Sequence, residues 1–178
     1  MEEYKESIAI DMDETIADPI GKARDWYYRD FGTTFTDEDL IGKHLSEVVP
    51  EEHKGVIHQY LNTPGFFRDL KVFPDAVDVL RELNKKYRVF IVSAAMEFPA
   101  SLQDKYYWLE DNFPFLTWRQ VCLCGDKTVV GTDMMIDDLT RNLKPFKGRG
   151  FLFTQHHNLH VEGYERLLDW ADAGNKLL

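Results

Sequence analysis

The stretch Lys5-Glu-Ser-Ile-Ala-Ile-Asp-Met-Asp-Glu-Thr15 is the most informative part of this chain. Residues 7–10 form a short apolar run of β-strand type, which places Asp11 and Asp13 where the strand should end. Burying a carboxylate is costly unless something compensates for it, and two close carboxylates also repel each other. The pair therefore predicts a bound cation, and a ligand set made only of oxygen favours Mg²⁺. The alternative is an acidic turn, or an aspartate that caps a following helix.

Length and composition fit one globular domain, or one domain with a modest insertion. The 178 residues are 44% hydrophobic and carry a net charge of −10 without a long Lys/Arg block, so we expect no binding to a nucleic-acid polymer. No apolar run approaches about 18 residues and the stretch MEEYKES is acidic, so we predict neither a signal peptide nor a membrane span. Cys122 and Cys124 are expected to be buried thiols of a cytoplasmic protein. The sequence leaves the oligomeric state open.

Apolar β-type runs alternate with helical patterns along most of the chain. The predicted strands cover residues 8–11, 88–93, 121–123, 134–137 and 150–154. The predicted helices cover residues 74–86, 101–112 and 162–170. This alternation indicates an α/β domain with a mostly parallel sheet, which binds ligands at the carboxyl ends of its strands. Asp11, Ser93 and Asp137 fall at predicted strand ends, so we expect them to converge.

The segment 18–70 interrupts this alternation. It contains a helical stretch at 22–31, a polar stretch at 33–39, a weaker helical pattern at 51–61 and an Asn-Thr-Pro-Gly turn at 62–65. No strand of the main sheet is expected there. We therefore predict an α/β core domain made of residues 1–17 and 71–178, with residues 18–70 inserted as a small helical cap.

Several motifs together resemble those of a known superfamily. Asp11-Met-Asp13-Glu-Thr15, then Ser93, Lys127 and the pair Asp137-Asp138 are similar to the four-motif pattern of the haloacid dehalogenase superfamily. Within it the chain resembles the 5′(3′)-deoxyribonucleotidases, through the stretches DMDETIAD, PGFFRDL, RVFIVS, DKYYWLEDNFP, GDKTVVGTDMMIDD and LFTQHHN between residues 11 and 158. The resemblance implies a HAD-like, Rossmannoid core with a cap after the first strand, and a Mg²⁺-dependent phosphomonoesterase.

The resemblance also implies roles for the first two aspartates. Asp11 would be the nucleophile that forms an aspartyl-phosphate, with the cation offsetting the repulsion between carboxylate and phosphate. Asp13 would protonate the leaving oxygen and then activate water, because the two half-reactions move the proton in opposite directions. Its backbone carbonyl would be a metal ligand. The alternative for Asp13 is an ordinary turn residue.

Phosphate binding is expected from a hydroxyl, backbone N–H groups and two lysines. Ser93 would donate its hydroxyl, and Ala94 would donate its N–H group. The family commonly has Thr followed by Ser at this point, so one hydroxyl contact is missing here. Lys127 would balance the acidic side chains, and Lys105 would add a second contact to the phosphate. The alternatives are a turn serine, a solvated loop lysine and a surface lysine on a helix.

Asp137 and Asp138 end an apolar run, which again predicts a compensating cation. Adjacent strand residues face opposite ways, so we expect one of them to ligate Mg²⁺ directly and the other to act through water or by contacting a metal ligand. The resemblance favours Asp138 as the direct ligand. The alternative is that one of the two caps the following turn. For His157 and its neighbour His156 we expect a solvated loop rather than a metal site, since they lack a further ligand at suitable spacing.

The substrate implied by the resemblance is a nucleoside monophosphate. Phe67 is the candidate for stacking on the base, with core packing as its alternative. Pro19 and residues 42–45 stand where the family tends to have aromatic side chains, so the catalytic residues match the family better than the base-facing ones. Two other functions stay open: a phosphatase for another small metabolite, and an inactive member that binds phosphate or metal.

Overall fold

The computed structural model describes residues 5–178. Residues 1–4, on which the expectation of no signal peptide partly rests and with which the predicted core domain begins, lie outside the described residues. In chain order the strands and helices are β1 (Ser7–Ile10), β2 (Ala17–Asp18), α1 (Pro19–Phe31), α2 (Leu45–Val48), α3 (Val56–Leu61), β3 (Lys71–Val72), α4 (Ala76–Lys86), β4 (Arg88–Ser93), α5 (Ser101–Asn112), β5 (Val121–Leu123), β6 (Met134–Asp137), α6 (Thr140–Leu143), β7 (Arg149–Phe153), β8 (Glu165–Leu167) and α7 (Trp170–Leu177).

Six strands form one parallel sheet in the order β5-β4-β1-β6-β7-β8. The central strand β1 is buried along its whole length, as expected for a parallel sheet covered on both faces. Ile10 at its end pairs with Ile91 of β4 and with Ile136 of β6. The carboxyl ends of these three strands therefore lie side by side, and the predicted α/β fold is confirmed.

Alternate residues of β1 enter two different hydrophobic clusters. Ile8 and Ile10 belong to the larger one, whereas Ala9 packs in a smaller cluster on the opposite face. The larger cluster also contains Tyr27 and Phe66 from the segment 18–70. That segment and one face of the sheet therefore share a continuous core.

Residues 18–70, which we call the cap segment, supply α1, α2 and α3 but no strand of the six-stranded sheet. Helix α1 begins before the predicted residue 22, because an Asp18 carboxylate oxygen accepts the N–H of Gly21 at 2.7 Å and Pro19 takes the first helical position. It ends at Phe31 and is followed by Gly32, whose φ of 69° is the left-handed conformation that glycine adopts readily. The predicted helix at 51–61 is a short turn followed by α3. The division into core and cap domains stays a prediction.

The predicted helix at 162–170 is wrong. Glu165–Leu167 is instead the edge strand β8, where Leu167 is buried, and it pairs with Phe153 of β7. The last helix begins only at Trp170, after Asp169 accepts the N–H of Asp172 at 2.7 Å. Three apolar residues close together are compatible with either period, and pairing with β7 settles the choice.

Cys122 and Cys124 are both free, as expected, but they are only partly buried. They lie in and just after β5, an edge strand of the sheet, which leaves one side of the strand uncovered. Both pack against the smaller hydrophobic cluster, since residues two apart on a strand share a face. Among the described residues, no helix combines the length and the hydropathy that a bilayer-spanning segment requires.

Candidate active site

The carboxyl ends of β1, β4 and β6 bring the predicted polar residues together. Asp11 follows β1, and its backbone N–H donates to the carbonyl of Ile136 at 2.9 Å. Ser93 ends β4, Asp137 ends β6 and Asp138 follows it. All four predicted site residues are less than a tenth exposed. The expected convergence of these groups at one edge of the sheet is what the structure shows.

Lys127 joins this group from a turn after β5. Its ammonium nitrogen lies 2.5 Å from Asp11 Oδ1 and 2.6 Å from Asp137 Oδ2, and its side chain is only 3% exposed. Burial lowers the pKa of Lys127, but the two carboxylates raise it by more, so the net direction is upward. Lys127 is therefore a buried cation between two strand ends and not a solvated loop lysine.

The electrostatics of Asp11 reflect the crowding of acids around it. Burial raises the pKa of Asp11 to about 6, although the Lys127 ammonium opposes the shift. Repulsion from Asp137 and Asp13 contributes to this rise. A carboxyl group in this state becomes a full anion near neutral pH only because a lysine faces it, and a second cation would complete the compensation.

Asp137 has its acceptor positions occupied within the protein. Its Oδ2 accepts from Lys127 Nζ, and its Oδ1 accepts from the N–H of Leu139 at 2.9 Å. The side-chain amide of Asn142 donates to both oxygens at 2.9 and 3.0 Å. Three donor groups therefore fix this carboxylate, and they leave it little capacity for a direct metal bond.

Asp138 is the opposite case. It is 2% exposed, and its Oδ1 is buried without a hydrogen-bond partner. Burial raises the pKa of Asp138 well above its usual range, and neighbouring carboxylates, Glu14 first, raise it further. Carboxylate oxygens of Asp11, Asp137 and Asp138 all lie within 4.8 Å of one another. An orphaned oxygen beside two more carboxylates is a donor set that fits a hard divalent cation such as Mg²⁺.

Lys105 lies deeper than a surface position on α5 would allow. Its ammonium donates to an oxygen of Asp13 and, at 3.1 Å, to the hydroxyl of Ser93. It also lies 4.4 Å from the ring centroid of Phe67, and both residues are 1% exposed. Lys105 therefore links the second aspartate of the first motif to the serine of the second. One face of the Phe67 ring is covered by this ammonium.

A cavity of about 480 Å³ opens above these groups. Its floor contains Asp11, Asp13, Ala94, Lys105, Lys127 and Asp138. Its opposite wall comes from the cap segment and is largely apolar, with Pro19, Ile20, Ala23, His44, Leu45 and Ile57. Such a site, apolar on one side and charged on the other, suits a small molecule with a phosphate at one end.

The expectation that His157 lies in a solvated loop is wrong. Its side chain is 7% exposed, with Nδ1 at 3.4 Å from Glu14 Oε1 and Nε2 at 3.3 Å from Asp138 Oδ2. The ring stacks on that of His44 with a centroid distance of 4.8 Å. Burial lowers the pKa of His157, but its contacts with Glu14 and Asp138 and the charge of Asp137 together raise the pKa by more. The neighbouring His156 is more exposed and lies near Asp37 instead.

Sequence reasoning missed further residues of the site, namely Glu14, Asn142, Gln155 and Asn158. The first has φ of 55°, which is unusual for a residue other than glycine. Gln155 and Asn158 form a capping box around the turn after β7. A glutamine followed three residues later by an asparagine after a predicted strand was the available signal, but the spacing alone does not reveal what the turn contacts.

Comparison with known proteins places these observations in a family. Residues 5–178 match the model of the family described as 5′ nucleotidase, deoxy (Pyrimidine), cytosolic type C protein. A Staphylococcus aureus (strain Mu50) protein named "Putative 5′(3′)-deoxyribonucleotidase" is 44% identical over 171 residues, which cover 95% of this chain and 93% of the relative. The Bacillus subtilis (strain 168) protein named 5′(3′)-deoxyribonucleotidase is 34% identical over 177 residues, which cover 98% and 99%.

Solved structures agree with the fold. A haloacid dehalogenase-like hydrolase from Streptococcus pneumoniae has a TM-score of 0.59 at 13% identity, covering 98% of this chain and 99% of the other. The HAD hydrolase YfnB from Bacillus subtilis, described as bound to magnesium, has a TM-score of 0.60 at 12% identity with the same coverage. At such low identity these likenesses show the HAD-like fold alone.

Proposed function

This chain belongs to the family of 5′ nucleotidase, deoxy (Pyrimidine), cytosolic type C proteins, and on that premise we propose that it is a Mg²⁺-dependent 5′(3′)-deoxyribonucleotidase. It hydrolyses deoxynucleoside or nucleoside monophosphates to the nucleoside and phosphate. The names of the staphylococcal and Bacillus relatives support the substrate class. The word cytosolic in the family description supports a cytoplasmic site of action.

The observation that carries the proposal is that Asp138 has a buried Oδ1 without a hydrogen-bond partner and a carboxylate oxygen within 4.8 Å of one of Asp11. In the proposed enzyme Mg²⁺ would be held by Asp11, by Asp138 and by the backbone carbonyl of Asp13. When bound, it would supply positive charge for the phosphoryl oxygens and for the attacking carboxylate. Asp137 does not bind it directly but holds Lys127 in place, since its own oxygens already accept three donor groups.

The reaction that these residues support runs in two halves. In the first, a carboxylate oxygen of Asp11 attacks phosphorus, the phosphorus–oxygen ester bond breaks, and Asp13 gives its proton to the departing nucleoside oxygen. In the second, Asp13 takes a proton from water, whose oxygen attacks phosphorus and releases Asp11 and inorganic phosphate. Lys127 stays close to Asp11 throughout and offsets the negative charge of the phosphoryl group.

The phosphate is proposed to lie between Asp11 and the start of the loop after β4. Ser93 donates its hydroxyl and Ala94 its N–H group. Lys105 already contacts the Ser93 hydroxyl at 3.1 Å, so it is placed to reach a phosphate oxygen bound at the same point. Two lysines and one hydroxyl thus replace the water that a phosphate dianion loses on entering the cavity.

The nucleoside is proposed to lie against the apolar wall of the cap segment. The cavity volume of about 480 Å³ lies within the range of about 300–1,000 Å³ typical of small-molecule sites. Phe67, the candidate base contact, lines this cavity, but Lys105 covers one face of its ring, so we propose that the ring chiefly supports Lys105. Pro19 and His44 line the wall at positions where the family tends to have aromatic rings. The second candidate function is therefore a phosphatase that acts on other small phosphate esters.

A phosphate-release panel tests both candidates. Purified protein is assayed with deoxynucleoside monophosphates, ribonucleotides and sugar phosphates, each with Mg²⁺ and with EDTA. We expect release from nucleotides, its loss in EDTA, and its loss in Asp11→Asn but not in Asp25→Asn, a matched change at an exposed position of α1. Preference for sugar phosphates would favour the second candidate. Full activity of Asp11→Asn would contradict the proposed nucleophile.

A further inference from the structure

Glu14 occupies a backbone conformation that side chains rarely adopt. Its φ is 55°, and among the described residues only Asp75 is a second non-glycine residue with positive φ. Such positions are stable only when surrounding contacts impose them. Here the backbone N–H of Glu14 donates to Ala17 at 2.9 Å, and the carbonyl of Glu14 accepts from the side chain of Gln155 at 2.5 Å. The turn is therefore fixed with its carboxylate directed toward the loop after β7.

His157 in that loop bridges two carboxylates. Its Nδ1 faces Glu14 at 3.4 Å, while its Nε2 lies 3.2 Å from the carbonyl oxygen of Asp138 and 3.3 Å from Asp138 Oδ2. Each ring nitrogen of His157 thus faces an oxygen atom of a neighbouring residue, so contacts at both ends fix the orientation of the ring. The ring of His44 stacks on it from the cap segment. His157 is thus held from three sides.

The loop that carries His157 is itself tied to Asp138. Asn158 donates from its side-chain amide to the carbonyl of Asp138 at 2.9 Å and to that of Phe153 at 2.8 Å. Its Oδ1 accepts from Gln155 N at 3.1 Å and from Arg166 at 2.9 Å. With Oδ2 of Asp138 facing His157 and its carbonyl held by Asn158, the remaining oxygen, Oδ1, is the one without a partner.

We propose that His157 is a positioning residue that turns Oδ1 of Asp138 toward the cation site, and that Glu14 holds His157 in place from the other side. The inference rests on the proposed function in so far as Asp138 binds the cation. It adds that cation binding depends on His157 and Glu14 as well as on the aspartates and lysines of the site. Partners that orient a metal ligand typically change metal affinity by about 10- to 100-fold when removed.

The effect of His157→Leu on cation affinity separates positioning from simple charge. If His157 affected the site through its charge alone, its replacement by leucine would tighten cation binding or leave it unchanged. Loss of positioning would weaken it. We expect the dissociation constant for Mg²⁺, measured by calorimetry on nucleotide-free protein, to rise about 10- to 100-fold in His157→Leu. The control His156→Leu alters the adjacent, more exposed histidine and should leave the constant unchanged.

Glu14→Gly is a second test, which does not require the fold to accept a leucine at the buried position 157. Glycine accepts positive φ, so the melting temperature in EDTA should not fall, whereas Mg²⁺ binding should weaken. Asp75→Gly is the matched control, with φ of 62° at the start of α4, and should leave Mg²⁺ binding unchanged. Unchanged or tighter binding in His157→Leu, or unchanged binding in Glu14→Gly, would overturn the inference. Absence of Mg²⁺ binding by the unaltered protein would instead contradict the proposed function.

Discussion

The ammonium group of Lys127 lies 2.5 Å from Asp11, and this pair joins the end of the central strand to a turn that follows the edge strand β5. Both side chains are less than a tenth exposed, so water solvates neither charge well. The same ammonium also reaches Asp137. One lysine therefore compensates two buried carboxylates, and its removal should affect folding as well as chemistry.

Lys127→Met should destabilise the metal-free protein by about 3–5 kcal/mol at pH 7, because it leaves two buried carboxylates without their cation. The loss should be smaller at pH 5, where Asp11 can take up a proton, since burial raises its pKa to about 6. Urea denaturation in EDTA at the two pH values measures the difference. Lys144→Met, an exposed lysine after α6, is the control. An equal loss at both pH values would contradict the assignment of the effect to Asp11.

Stability of the metal-free protein should depend on pH through Asp11 and Asp138. Both have a pKa raised in the folded state, to about 6 for Asp11. The folded state therefore holds these protons more tightly than the unfolded chain, and their stabilising contribution is present below the unfolded pKa of about 4. The contribution of Asp11 is lost as the pH rises through about 6, and that of Asp138 is lost as the pH rises through its own raised pKa.

A divalent cation should reverse this dependence, because it needs ionised ligands. The rise in melting temperature caused by Mg²⁺ should therefore grow as the pH increases from about 4 to about 7. Thermal denaturation with Mg²⁺ and with EDTA measures it across the range, with Asp138→Asn as a variant whose response should be nearly flat. A Mg²⁺-induced shift of the same size at every pH would argue against buried, raised carboxyl groups as the ligands.

Much of the site could be predicted because strand ends are visible in the sequence. An apolar run that finishes in Asp11, Ser93 or Asp137 fixes which side chains meet once the sheet is parallel, since parallel strands share one carboxyl edge. His157 could not be found in this way. Its side chain lies against Glu14, 143 positions earlier in the chain, and against Asp138, which follows β6.

The carboxyl-terminal part shows the other limit. Leu167, Leu168 and Trp170 have a spacing that suits a helix, yet Leu167 is buried at the end of β8 and Leu168, just after that strand, is 61% exposed. The partner strand β7 decides this, and its hydrogen bonds are long-range. A short apolar pattern is compatible with either a helix or a strand, and pairing with another strand then determines which one forms.

Asp137 and Asp138 should respond differently to the same substitution. Asp138→Asn removes a buried carboxylate that is crowded by other acids, so the metal-free protein should become more stable while Mg²⁺ binding is lost. Asp137→Asn removes a partner of Lys127, so stability should fall while Mg²⁺ binding persists at reduced affinity. Calorimetric titration and thermal denaturation of both variants check the contrast. If only Asp137→Asn lost Mg²⁺ binding, Asp137 and not Asp138 would be the direct metal ligand.

Phe67 can be tested as support for Lys105 or as a base contact. If its ring chiefly supports the ammonium that lies 4.4 Å from its centroid, Phe67→Leu should slow hydrolysis of a nucleotide and of a base-free phosphate ester by the same factor. We expect equal factors, measured as kcat/KM for both substrates. A loss confined to nucleotides would show instead that the ring contacts the base.

Asp13→Asn should separate cation binding from proton transfer. The backbone carbonyl proposed as a ligand is unchanged by the substitution, so Mg²⁺ affinity should stay within a few-fold of the unaltered protein. The side chain can no longer give or take a proton, so kcat should fall by about 10²- to 10⁴-fold. Because the amide oxygen can still accept from Lys105, the fold should be retained.

The proton-transfer role is checked by comparing the activity loss of Asp13→Asn on a nucleotide with its loss on an aryl phosphate, whose leaving group needs little protonation. The aryl phosphate should lose less activity in the first half-reaction, seen as a burst of released phenol, and an equal loss with both substrates would place the role of Asp13 elsewhere.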